Sequence, residues 1–315
     1  MPSTLETIAP GGRIAVVRIR SLGDCVLTTP ALSMLNEFRP DLSIGVVVED
    51  RFSEVFAHHP AVAEILPPKL ASVRRFHPEL TINFHGGTRS ALLTLGSGAR
   101  IRAGFGHYAG TSAYNLRIPR AQEILGEERP VHTAEHLAAA MFYLGVPISE
   151  IPRASLFAAD GGSVEQETYA VMHPFASAAH KAWPVERFVE LSERMGVRVV
   201  VLAGRGDDVG VFEHHVGPLL DGRGSEGPFK VYRNAPLDTV MRLLRDAALF
   251  IGNDSGPAHI AAAYGVPSVV LFGSTNSSTW GPWRTPSKVI QSTAGFEAIT
   301  VDDCLKAIEQ LKVRA

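Results

Sequence analysis

Cysteine is scarce in this chain of 315 residues: there are two, Cys25 and Cys304, far apart and in neither a CxxC pair nor a metal-binding spacing. That excludes a disulfide framework, argues against a zinc site and suits a reducing compartment. Net charge is small too, with 30 Lys and Arg against 32 Asp and Glu, so no whole-chain field favours nucleic acid. Long uninterrupted apolar runs are missing. The longest apolar stretch, 258–272, is broken by Gly265-Val266-Pro267 and reads as a helix followed by a strand rather than a membrane span. Residues 1–12 carry no basic patch leading into an apolar core, so no signal peptide is expected and the expected location is cytoplasmic. No tandem repeat, heptad or low-complexity tract is present.

What the chain does have is 45% hydrophobic residues, enough for substantial cores, and at this length two domains of similar size are expected. Short β-branched runs at 14–19, 44–48, 80–84, 169–173, 197–202, 249–251 and 268–272 read as buried strands. Between them, 31–38, 135–144, 185–195, 239–248 and 258–264 repeat apolar residues at helical spacing. This alternation predicts an α/β fold of parallel sheets covered by helices, with ligands at the carboxyl ends of the strands. A stretch rich in Pro, Ala and Gly at 147–162 marks the boundary, giving domains at 1–155 and 156–315, with the last helix a candidate to pack back on the first. Charge is uneven: 69–120 holds eight basic residues against the single acid Glu79. That run is either a face neutralised in three dimensions or a surface for a phosphate-rich or membrane partner.

Three loops after strands carry the chemistry. In FIGNDSGPAH, 250–259, a strand runs into Asp, Ser, Gly and Pro and then an Ala-rich helix. Pro257 suits the first helical turn, Asp254 or Ser255 can cap it, and Gly256 admits a close approach, so free N–H groups and the helix dipole face an anion such as a diphosphate. Simple capping accounts for such a turn equally well. His259 follows Ser255 by four residues, but without a GxSxG elbow hydrolysis is not favoured. In HPFASAAHKAWP, 173–184, Lys181 is the only strongly basic group, set just outside the helix that Pro184 opens. A phosphate there gains both charge and dipole, the alternative being a solvated lysine. In RIRSLGDCVLTTPAL, 18–32, Asp24 sits where such sheets expose side chains to a cleft, able to take a proton from a hydroxyl or to cap a helix. Pro30 would kink a helix that began at Asp24.

Metal chemistry has little support in these residues. There is no Asp-x-Asp pair to hold a divalent ion against a diphosphate, and His132 with His136 on one helix face lacks a third ligand, which favours a structural or acceptor-side role.

Together GDxxxTTPAL, HPFAS…KAWP and GNDSGPAHIAAAYGVPSVVLFG resemble glycosyltransferase family 9, the lipopolysaccharide heptosyltransferases that use ADP-heptose, and the likeness runs along nearly the whole chain. The resemblance implies a GT-B architecture, two facing Rossmann-like domains, with acceptor in the first and ADP-sugar, a co-substrate and not a cofactor, in the second. It implies a metal-independent, inverting transfer with Asp24 as general base. Ser177, Lys181, Asp254, Ser255, Gly256 and His259 would hold the donor, while Arg20, His85 and Arg89 would face an anionic glycolipid acceptor, with no nucleic acid involved. Such an acceptor places the chain at the cytoplasmic face of the inner membrane, in peripheral contact with it. One departure is the loop Ala203-Gly-Arg-Gly-Asp-Asp208, where relatives carry an acidic residue that contacts the ribose. Asp207 and Asp208 are both candidates, and Arg205 would favour a different nucleotide. Two rival readings remain open, a nucleotide-sugar epimerase on the same architecture and a non-catalytic binding module for nucleotide-sugars.

Overall fold

The computed structural model describes residues 2–159, 161–176, 182–205, 207–210 and 229–312. The chain divides into two compact units, Met1–Phe157 and Ala158–Ala315. Along the first unit run β1 (Arg13–Val17), α1 (Leu22–Phe38), β2 (Ser43–Val47), β3 (Glu64–Leu66), α2 (Leu70–Arg75), β4 (Leu80–Asn83), α3 (Thr88–Gly96), β5 (Ile101–Phe105), β6 (Leu116–Ile118), α4 (Ala121–Leu125) and α5 (Thr133–Leu144). Along the second run β7 (Tyr169–His173), α6 (Val185–Met195), β8 (Arg198–Ala203), β9 (Phe229–Arg233), α7 (Leu237–Arg245), β10 (Leu249–Asn253), α8 (Gly256–Tyr264), β11 (Ser268–Phe272), α9 (Ser277–Trp280), β12 (Ser287–Gln291) and α10 (Val301–Leu311).

Among the described residues each unit contains one six-stranded sheet, ordered β3-β2-β1-β4-β5-β6 in the first and β12-β11-β10-β7-β8-β9 in the second. Renumbered within its own unit, the second order is the first read backwards. Every ladder is parallel, Ile14 pairing with Ile44 on one side and Leu80 on the other, and Phe250 with Ser268 and Val171. A parallel sheet covered on both faces needs strands with apolar interiors, and β1, β7, β10 and β11 meet that demand, their polar residues falling at the ends. In both units the chain direction reverses beside the first strand, so the switch points lie between β1 and β4 and between β7 and β10, where this topology places ligands.

Helix α1 runs unbroken through Pro30. Pro30 has no N–H for the Val26 carbonyl, but the Thr29 hydroxyl donates to that oxygen at 2.8 Å, which satisfies the group that a mid-helix proline orphans. In the second unit α10 packs against α6 and against β11 and β12 of its own unit. Trp183 plugs this core: its ring meets Phe188 edge to face at 4.8 Å and its Nε1–H donates to the Ile299 carbonyl at 2.9 Å. Both cysteines are free and buried.

Candidate functional site

At the first switch point the loop after β1 turns into α1 through Ser21. Asp24 occupies the first turn, and its Oδ2 accepts from the Ser21 N–H at 3.3 Å and from the Ser21 hydroxyl at 2.9 Å. The capping role therefore holds, and it leaves the other oxygen for something else. Oδ1 pairs with Arg18 Nη1 at 3.3 Å, and Arg18 is fixed in turn by donating from Nε to Thr28 Oγ1 at 3.1 Å. Arg18 is 4% exposed, so its charge acts at low screening on a carboxylate that keeps 24% of its side chain open. A fixed, partly open carboxylate in the first turn of a helix can accept a proton from a hydroxyl placed against it.

The neighbouring loop after β4 is organised by Asn83, which is fully buried. Its Oδ1 accepts from the N–H groups of His85 and Gly86 at 3.0 and 3.1 Å, and its Nδ2 donates to Thr94 Oγ1 and the Tyr114 hydroxyl. Gly86 has φ +71, a conformation that favours glycine, and a Cβ there would stand a tight 3.1 Å from the Tyr108 ring. This turn delivers His85, whose Nδ1–H donates to the Arg20 carbonyl at 3.0 Å and so leaves Nε2 as an acceptor. Burial first, and then the Arg18 guanidinium, holds the His85 pKa below its ordinary value, favouring the neutral ring. Of the acceptor-side candidates, the Arg20 backbone and His85 thus meet beside Asp24. Arg89 pairs with Glu49 at 3.3 Å, one of the acids that offset the basic run, and Arg20 acts on the same carboxylate.

His132 and His136 each have a structural partner. His132 Nδ1 accepts from the Ala134 N–H at 3.1 Å to cap α5, and His136 stacks on Phe105 at 4.0 Å between ring centroids. Burial lowers the His136 pKa to about 4. Among the described residues no group of three or more metal-ligating side chains converges.

At the second switch point Asn253 ends β10, fully buried like Asn83, and ties two loops together. Its Nδ2 donates to the Pro174 carbonyl at 2.7 Å and its Oδ1 accepts from the Trp183 N–H at 3.0 Å, so the segment after β7 is stitched to the end of β10. Gly252 allows that closeness, because a Cβ would sit 2.7 Å from the His173 carbonyl oxygen. Asp254 continues the ladder, its N–H donating to the Leu271 carbonyl at 3.1 Å. Ser255 is the N-cap residue of α8, followed by Gly256 and Pro257, yet its side chain makes no capping bond. Its Oγ is buried and has no hydrogen-bond partner among the described residues, and the same is true of His173 Nδ1. Burial pushes the His173 pKa down to about 4 against the opposing pull of the Asp207 carboxylate, so the ring is neutral near pH 7. His259 is buried in the first turns of α8. The helix start therefore combines the positive end of the dipole with the unspent Ser255 hydroxyl, the makings of an anion site.

In the 203–208 loop Asp207 Oδ2 accepts from the Gly204 N–H at 2.7 Å, whereas Asp208 Oδ1 accepts from Gly210 at 2.9 Å. Ser177 and Lys181 lie outside the described residues. Arg18, Asn83, Asn253 and His173 are the residues that sequence reasoning missed. The two asparagines announce themselves only as polar groups closing otherwise apolar strands, and Arg18 as a basic residue six positions before Asp24.

Residues 71–305 match the family of glycosyltransferase family 9 (heptosyltransferase). Lipopolysaccharide heptosyltransferase 1 of Pseudomonas aeruginosa is 28% identical over 308 residues, covering 86% of this chain and 81% of that protein. Among solved structures, a glycosyl transferase family 9 protein of Veillonella parvula aligns with a TM-score of 0.81 at 20% identity, over 96% of this chain and 98% of that one. The ADP-heptose lipopolysaccharide heptosyltransferase II of Escherichia coli aligns at 0.79 and 20% identity, over 95% of this chain and 98% of that one. At such identity the structural likeness is one of fold, and the fold is the GT-B class.

Proposed function

The chain belongs to glycosyltransferase family 9, and from that premise we propose that it transfers a heptose from ADP-heptose to the anionic core of a lipopolysaccharide. The first unit would take the acceptor and the second the donor. The observation that carries the reading is the placement of the motif residues, with Asp24 at one switch point and the 254–259 turn at the other.

In the proposed step the acceptor hydroxyl gives its proton to Asp24 Oδ as its oxygen bonds to the anomeric carbon. The bond from that carbon to the phosphate oxygen breaks on the opposite face, its electron pair leaving with ADP, and the anomeric configuration inverts. A hydroxyl is a weak nucleophile, so a fixed base contributes in the transition state, and charge building on the departing diphosphate is met by the start of α8. Ser255 Oγ and His173 Nδ1 are the groups whose unspent hydrogen bonds the donor would complete. Asp207 would contact the ribose, since its carboxylate acts on His173 at the β7 end. Lys181 would bind the diphosphate. No divalent ion has a role in this step.

The test is ADP release from ADP-heptose by purified protein with a core oligosaccharide acceptor, with and without chelator. Release that requires acceptor and survives chelation supports the reading. An altered sugar formed from nucleotide-sugar alone would replace transfer with epimerisation, and tight ADP binding without turnover on any core acceptor would replace it with a binding module.

A further inference from the structure

The outward face of α3 is apolar where a solvated helix is normally polar. Ala91, Leu93 and Thr94 turn inward, whereas Leu92 and Leu95, one turn apart, are 61% and 51% exposed. Leu70 at the start of α2 continues the patch: it is 38% exposed and lies over the end of α3, where a Cβ on Gly96 would stand 2.7 Å from its Cδ1. Around these leucines Lys69, Arg74, Arg75 and Arg89 are all exposed. Arg74 Nε donates to the Gly96 carbonyl at 2.7 Å, tying α2 to α3, and Arg89 Nη2 to the Pro68 carbonyl at 3.4 Å, tying α3 to the segment before α2. No helix among the described residues is long and apolar enough to cross a membrane.

Single exposed leucines are ordinary, but three together inside a basic frame are not. The leucines supply apolar area at a depth that a headgroup region can accept, and the cations supply attraction to anionic lipid. Charge decides against the other occupants of an apolar patch: a second copy of the chain would bring Lys69, Arg74 and Arg75 against their own kind, whereas lipid phosphates pair with them. Helix α3 also begins at Thr88, directly after the turn that carries His85, so a surface that seats α3 holds that turn at the lipid boundary.

We propose that the exposed face of α2 and α3 docks the chain on an anionic phospholipid membrane, with Leu70, Leu92 and Leu95 entering the headgroup region and Lys69, Arg74 and Arg75 pairing with lipid phosphates. This deepens the lipid-linked acceptor reading above, but vesicle binding needs neither donor nor acceptor, so each can fail without the other.

The experiment is co-sedimentation of the full chain with acceptor-free vesicles of phosphatidylglycerol and phosphatidylethanolamine, against vesicles of phosphatidylcholine alone. Binding to the anionic vesicles is expected to be at least about tenfold stronger and to weaken as salt is raised. Leu92→Ser with Leu95→Ser, and separately Lys69→Glu with Arg75→Glu, are each expected to lower that binding about tenfold while leaving the thermal transition in place. Both variants should keep native turnover on an acceptor stripped of its lipid and lose it on a vesicle-borne one. Equal binding to both vesicle types, native binding by either variant, or a leucine variant that loses self-association in sedimentation velocity instead of vesicle binding would each overturn the proposal.

Discussion

The two switch points share a topology and differ in what is left over. At the end of β1 the polar groups are spent on one another: Arg18 holds Asp24, Ser21 holds its other oxygen, and Asn83 ties the adjoining turn. At the end of β7 and β10 the stitching by Asn253 is just as complete, yet Ser255 Oγ and His173 Nδ1 are buried with no hydrogen-bond partner among the described residues. A buried polar atom is stabilised by whatever completes its hydrogen bond. A self-satisfied crevice is rigid and suits a group that must be aimed, whereas a crevice with unspent bonds suits a ligand that completes them. On the proposed function, the contrast matches aim in the first unit and binding in the second.

The sharpest way to break this contrast is Asp24→Asn, which keeps the shape and removes the base. Turnover is expected to fall about a thousandfold with ADP affinity in the second unit unchanged, and a parallel fall in both by calorimetry would end the division of labour. Next come the paired asparagines. Asn83→Leu and Asn253→Leu should each cost about 2–4 kcal/mol in denaturant unfolding, because each strands buried partners, and only Asn253→Leu should also weaken ADP binding. Ser255→Ala probes the leftover bond directly. It should weaken ADP binding about tenfold while shifting the thermal midpoint by no more than about 1 °C, since no cap is lost; a cap-sized destabilisation would show the hydroxyl to be structural after all.

The smallest effect concerns acid. His59 and His136 in the first unit and His173 in the second have pKa values pushed down to about 4, chiefly by burial, from an ordinary 6.5. A depressed folded-state value on a histidine means that the stability it lends is complete above pH 6.5 and drains away as the pH falls towards 4. The loss is on the order of 1 kcal/mol per histidine per pH unit. With two such rings against one among the described residues, amide exchange in the first unit should accelerate more than in the second between about pH 6.5 and 4.5. Equal acceleration would show that buried histidines do not separate the units.

Much of this was legible beforehand, because parallel strands buried on both faces write themselves as unbroken apolar runs. β7, α6 and β11 fall at the expected bounds. The strands that escaped notice, β3, β5, β6, β9 and β12, include the edge strands of both sheets and carry charges or glycine within short spans, so neither length nor composition marks them. In the site, Asp24 and the 254–259 turn stood out by their spacing. Arg18 did not, because a basic residue at a strand end looks solvated until a carboxylate is seen 3.3 Å away. The capping expectation for Ser255 failed in an instructive direction: the residue holds the cap position while its hydroxyl is spared from the cap.

The matched asparagines carry a consequence for how the molecule ages. Spontaneous loss of the side-chain amide requires the next residue's backbone nitrogen to swing round and close a five-membered ring on it. For Asn83 that nitrogen belongs to Phe84 and is committed to the Val17 carbonyl at 3.1 Å; for Asn253 it belongs to Asp254 and is committed to Leu271 at 3.1 Å. The two amides whose conversion to acids would do most harm are thus the ones whose chemistry of decay is sterically locked, and wear during storage should accumulate elsewhere in the chain first.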